Sequence, residues 1–183
     1  IKETIGDADE LFKDEFIQAN LEAKLKTENF SILHFATHGS FSSDPRRTYI
    51  MLNEGYLEAE ELDTILRSNA LRRNRGNRSG VELIVFSACE TAQGDNRAVL
   101  GLAGLTVRSG TQSAIATLWQ VDDEAAAAIM TRFYEELANN PNISRSEALR
   151  RAQVALLTMA QETNSDWKLP YYWGAYTLIG NWL

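Results

Sequence analysis

VELIVFSACETAQG, residues 81–94, decides how this chain folds. Its first half is a short, almost continuous apolar run with β-branched residues, interrupted only at Glu82. A strand that shows no polar alternation belongs inside a parallel sheet covered on both faces. The run closes on Ser87-Ala88-Cys89 and then turns polar, so its carboxyl end opens into a loop. Two runs of the same kind lie either side in sequence. Within SILHFATHGSF, residues 31–41, SILHFAT is a short buried strand that runs out into His38-Gly39, and TQSAIATLW, residues 111–119, is a third strand. TYIML, residues 48–52, and the closing WGAYTLIGNW, residues 173–182, complete the strand set.

Helical patterns separate these strands. DELFKDEFIQANLEAKLK, residues 9–26, places Leu11, Phe16, Ile17, Leu21 and Leu25 at largely helical spacing. A second helix is expected over LEAEELDTILRS, from Leu57, and a third over VLGLAGLTVRSG, residues 99–110. Asp122 and Asp123 are placed to cap a helix running to about Asn139. Ser144 and Glu147 have capping-box spacing for the next. SFSSDPRR and ETAQGDNRA are expected loops. So is the basic LRRNRGNRSG, and the five arginines from Arg67 to Arg78 suit a solvated surface loop, open to proteolysis, better than a site for RNA or an acidic partner. Apolar strands alternating with helices predict an α/β domain with a mostly parallel central sheet.

At 183 residues the chain is long enough for one domain with a sizeable core. A net charge of −7 argues against a general grip on nucleic acid. One cysteine excludes an internal disulfide and suits a reducing, cytoplasmic compartment. No apolar run reaches the roughly 20 residues that span a bilayer, and no segment has the pattern of a signal peptide. The chain starts at Ile1, inside an acidic, helix-like phrase, and is expected to belong to a longer protein.

In open α/β sheets, ligands meet residues just beyond the carboxyl ends of the strands. His38 and Cys89 both occupy such positions. An imidazole can take the proton that makes a thiol nucleophilic, and Gly39 would let a substrate approach the backbone and use its N–H as an oxyanion donor. Against this stands the plain alternative that a lone cysteine at a strand end is a small buried hydrophobe. Zinc is a poor reading of His34 and His38, because i, i+4 spacing brings two rings together on a helix and this segment is a strand. His34 is expected to be a structural histidine. There is no GxxxxGK[ST] loop, and GLAGLTVRSG lacks the order of a dinucleotide signature.

HFATHGSF, VFSACETAQG, GLAGLTVRSGTQSAIATLWQVDDEAA, FYEEL, EALRRAQVALL and YYWGAYTLIGNW follow one another in the order and spacing of the CHAT domain. The chain resembles this family, a bacterial branch of the caspase-like cysteine peptidases, from about Phe16 to Leu183. Its wording is similar especially to cyanobacterial and related bacterial members, in which the domain usually follows tetratricopeptide repeats. The resemblance implies a three-layer caspase-like sandwich and a cysteine endopeptidase that needs no metal or organic cofactor. It implies His38 and Cys89 as the catalytic pair, with the Gly39 and Cys89 backbone amides as the oxyanion hole. Asp122 or Asp123, in LWQVDD, would recognise a basic residue before the scissile bond, although Asp122 serves equally well as a helix cap. Partners implied are a protein or peptide substrate and a regulatory repeat region or partner protein. The chain departs from the family near its end, where Leu169 replaces the histidine of the more usual HPYYWAAF. It departs also at its start, because two strands that should precede SILHFAT are expected upstream. Without them the sheet edge would be open to self-association. The rival reading is a non-catalytic caspase-like scaffold or interaction module.

Overall fold

A computed structural model describes residues 8–42, 47–76, 80–87, 90–91, 104, 107–163 and 165–183. Its first regular pieces are a 3-10 turn over Lys13–Glu15 and helix α1, Gln18–Thr27. The helix expected from Asp9 is thus shorter. Lys13 takes a positive φ of 51° and Ile17 is extended, which interrupts the helical run and turns Phe16 onto Phe35.

The central sheet contains β1 (Ile32–Phe35), β5 (Leu83–Phe86), β7 (Ser113–Thr117) and β8 (Tyr176–Gly180), in that spatial order. β1, β5 and β7 are parallel and β8 is antiparallel to β7, so the sheet is mostly parallel, as expected. β5 and β7 are buried at every position. β1, one of the two edge strands of this sheet among the described residues, alternates between partly buried and buried residues. An edge strand loses cover on one side even when its sequence looks continuous.

Side chains leave each strand alternately to two apolar layers. Leu33, Phe35, Ile84, Phe86 and Ala116 face a core closed by Leu21 and Leu25 of α1 and by Leu62, Ile65 and Leu66 of helix α2, Ala59–Gly76. Leu83, Val85, Ile115 and Tyr176 face α3 (Asp123–Asn139) and α4 (Arg145–Thr163), which present Ile129, Met130, Phe133, Leu149 and Leu156. Helix layer, sheet, helix layer is the three-layer sandwich implied above. α2 runs on to Gly76, through part of the basic stretch expected to be a loop. Leucine and arginine are good helix formers, and a run of charge does not end a helix.

A smaller second sheet sits at the carboxyl rim of the first. It contains β2 (Gly39–Phe41), β3 (Tyr49–Met51), β4 (Tyr56–Glu58) and β6 (Glu90–Thr91), in the order β4-β3-β2-β6. The sequence reading anticipated only β3 and assigned the rest to loops or helix starts. β3 and β4 join through Gly55, whose φ of +89° suits glycine. A short α5, Pro170–Trp173, precedes β8. Among the described residues, no helix is long and apolar enough to cross a membrane. Most of the helix expected over residues 99–110 lies outside the described residues; of the described ones, Gly104, Val107 and Arg108 are helical.

Candidate functional site

Beyond Phe35, three residues lead from β1 of the large sheet to β2 of the small one. The Thr37 hydroxyl donates to the Met51 carbonyl at 2.8 Å, and the Met51 N–H donates to the His38 carbonyl at 2.8 Å. These bonds hold the backbone of His38 against β3 while its side chain stays exposed. Gly39 follows, opposite Ile50. Because Met51 bonds to His38, Gly39 and Ile50 form a non-hydrogen-bonded pair, and the Gly39 N–H is directed away from β3. A Cβ at Gly39 would stand 2.8 Å from the Tyr49 carbonyl oxygen, so the close approach of β2 to β3 requires glycine here.

His38 opens on a groove of about 410 Å³ at the carboxyl rim of the sheet. His34 of β1 and Ser87, just beyond β5, line it on one side, and Asp123, Ala126 and Met130 line it from α3. Its volume falls in the range of ligand sites. A second cleft of about 120 Å³, between α1 and β1, is bordered mainly by apolar side chains such as Leu21, Leu25 and Phe30.

His34 is not a second exposed base. Its Nδ1 lies 2.9 Å from the Tyr134 hydroxyl and its Nε2 lies 2.6 Å from Ser87 Oγ. Desolvation pushes the imidazole down to about 4. Burial likewise raises the Tyr134 phenol. With both nitrogens engaged, His34 has no lone pair left for a metal, and it serves as the structural histidine expected. The Tyr176 hydroxyl reaches the Ser87 carbonyl at 3.4 Å. Thr117, beside Ser87 in the next strand, keeps a buried hydroxyl that has no partner among the described residues. Ser87 and Tyr134 escaped the sequence reading. Ser87 carries a faint signal, two positions before the cysteine, whereas Tyr134 is 100 residues from His34 and carries none.

The two acidic residues divide. Asp122 is the N-cap of α3 and accepts from the Ala125 N–H at 3.0 Å. Asp123 is the first helical residue and borders the groove with His38. Cys89 lies outside the described residues, as does Ala88, but both flanks are described. Phe35 pairs with Phe86 before it and Ser40 pairs with Glu90 after it, both in parallel.

Compared with models of known families, the chain matches the CHAT domain over residues 1–181. No curated protein matches it.

Proposed function

The chain belongs to the CHAT domain family, which is caspase-like and suggests a peptidase, and on that footing we propose that it is a cysteine endopeptidase acting through Cys89 and His38. The observation that carries the proposal is the pairing on both sides of Cys89. Phe86 pairs with Phe35 and Glu90 pairs with Ser40, so the described neighbours of Cys89 on both sides are paired with the residues that flank the His38 segment.

The proton of the Cys89 thiol passes to His38 and the sulfur attacks a peptide carbonyl carbon. The oxyanion that forms is held by backbone N–H groups of Gly39 and Cys89. The Gly39 amide is suited to this because β3 does not use it. His38 gives its proton to the leaving amine, the C–N bond breaks and a thioester remains. Water then loses a proton to His38, attacks the thioester and releases the new carboxyl terminus and the thiol. Asp123 is better placed than Asp122 to meet a basic side chain in the groove, since the Asp122 carboxylate is occupied by its cap. The chain as a whole is one such domain, cytoplasmic, bacterial, and regulated by adjoining tetratricopeptide repeats or a partner protein.

The test is Cys89→Ala in the full-length protein, with cleavage followed across the products of neighbouring genes. Cleavage present in the parent and lost in the variant is expected. Unchanged cleavage removes Cys89 from its role and leaves the scaffold reading.

A further inference from the structure

Tyr134 is 1 % exposed, and its hydroxyl has one hydrogen-bond partner among the described residues, Nδ1 of His34. A buried phenol that kept its proton unshared would carry an unsatisfied donor, so the hydroxyl donates and Nδ1 accepts. The ring proton of neutral His34 must then sit on Nε2, which donates to Ser87 Oγ at 2.6 Å. That leaves the Ser87 hydroxyl proton directed elsewhere. Ser87 and His38 both border the groove, and among the described residues the Ser87 hydroxyl makes no hydrogen bond other than the one with His34.

We propose that Tyr134 and His34 are positioning residues that fix the direction of a hydrogen-bond relay, so that Ser87 offers its hydroxyl proton to an amide carbonyl oxygen lying in the groove. The proposal rests on the peptidase reading and adds a neutral donor to it, one that holds the substrate main chain beside the scissile bond. The sequence of donors, Tyr134 to His34 to Ser87 to substrate, runs from the middle of α3 through the edge strand to the rim. His34 keeps its single ring proton across the neutral range because it is desolvated.

The chain has two histidines, which makes the relay directly readable. In ¹⁵N-histidine-labelled full-length protein, with His38→Gln for assignment, His34 should show a protonated Nε2 and a bare Nδ1 from pH 8 to about pH 5. Tyr134→Phe should mix its tautomers. A His34 with its proton on Nδ1, or an imidazolium at pH 6, overturns the relay. The donor is read by alkylating Cys89 with iodoacetamide, which carries an amide carbonyl, and with iodomethane, which does not. Ser87→Ala should slow the first roughly three- to tenfold, the effect of one hydrogen bond, and leave the second unchanged. Ser87→Thr should restore the rate. Equal slowing of both reagents, or of neither, overturns the donor. A Cys89 that resists both reagents in the parent protein instead overturns the peptidase reading, while the tautomer measurement still decides the relay.

Discussion

Ser40 on β2 stands opposite Glu90 on β6, five residues after Phe35 and four after Phe86, which are themselves a pair. Residues 36–39 and 87–89 therefore bridge the same two fixed pairings. His38 and Cys89 belong to these segments of the chain, and the proton transfer proposed between them requires that they act as a unit. We expect Cys89→Ala and His38→Gln each to lower kcat/KM by at least about a thousandfold, and the double variant to be no worse than the more damaging single one, because residues that act together do not add. Steady-state cleavage by the four proteins checks this. Additive losses would mean two independent roles.

The adjacent acids should separate by experiment. Asp122→Ala removes a helix cap and is expected to lower stability by about 1 kcal/mol, with little change in cleavage preference. Asp123→Ala should leave stability nearly unchanged and reduce cleavage after Lys or Arg relative to uncharged residues. Urea unfolding and a fluorogenic peptide panel read the two effects. A loss of basic preference in the Asp122 variant alone would reverse the assignment.

How far this was legible in the sequence depends on the range of the forces. β5 and β7 could be read because burial on both faces leaves an unbroken apolar run. The α3 and α4 starts could be read because caps are local, as the bonds to Asp122 and Ser144 show. Most of the small sheet could not. Gly39–Phe41 and Glu90–Thr91 are too short for any periodicity, and they are strands because their backbones find each other, a long-range fact. The same holds for the site. His38 and Cys89 stood out as rare residue types at strand ends, whereas Tyr134 is an ordinary core aromatic until the fold brings it to His34.

Gly39 is constrained by packing as well as by any part in catalysis. Gly39→Ala would press a methyl group against the Tyr49 carbonyl at 2.8 Å. Backbone cannot yield as a side-chain tip does, so β2 and β3 must part. A destabilisation of about 1–3 kcal/mol is expected, together with weaker protection of the Met51 amide in hydrogen exchange, since that amide bonds to His38. A Gly39→Ala variant as stable and as protected as the parent would show that the strands can shift freely.

Strong acid should act on the α4 start. Hydrogen bonds from Arg150 and then Arg151 hold the Glu147 carboxyl down to about 2, below its usual 4.5. A lowered carboxyl favours the folded chain above pH 4.5, and the benefit fades as pH falls toward 2. Glu147→Gln keeps a side chain suited to the third helical position but removes the charge. The stability gap between parent and variant should therefore be constant above about pH 5 and close between pH 4.5 and 2. A gap that ignores pH would assign the role of Glu147 to packing.

His34 should govern a separate window, and with the opposite kind of group. Its folded value of about 4 lies below the ordinary 6.5 because protonation would place a charge in a desolvated site. Between these two values the unfolded chain binds a proton that the folded chain refuses, so acidification drives unfolding. The contribution is fully favourable above pH 6.5 and is lost progressively down to pH 4, reaching roughly 3 kcal/mol. In urea titrations, the parent should lose stability across that interval while His34→Gln, which has no proton to refuse, loses less. The difference between the two curves should be flat above pH 6.5 and flat again below pH 4, where Glu147 takes over. Parallel curves from pH 7 to 4 would mean that the imidazole titrates alike in both states, and that its contacts with Tyr134 and Ser87 do not exclude the charged form.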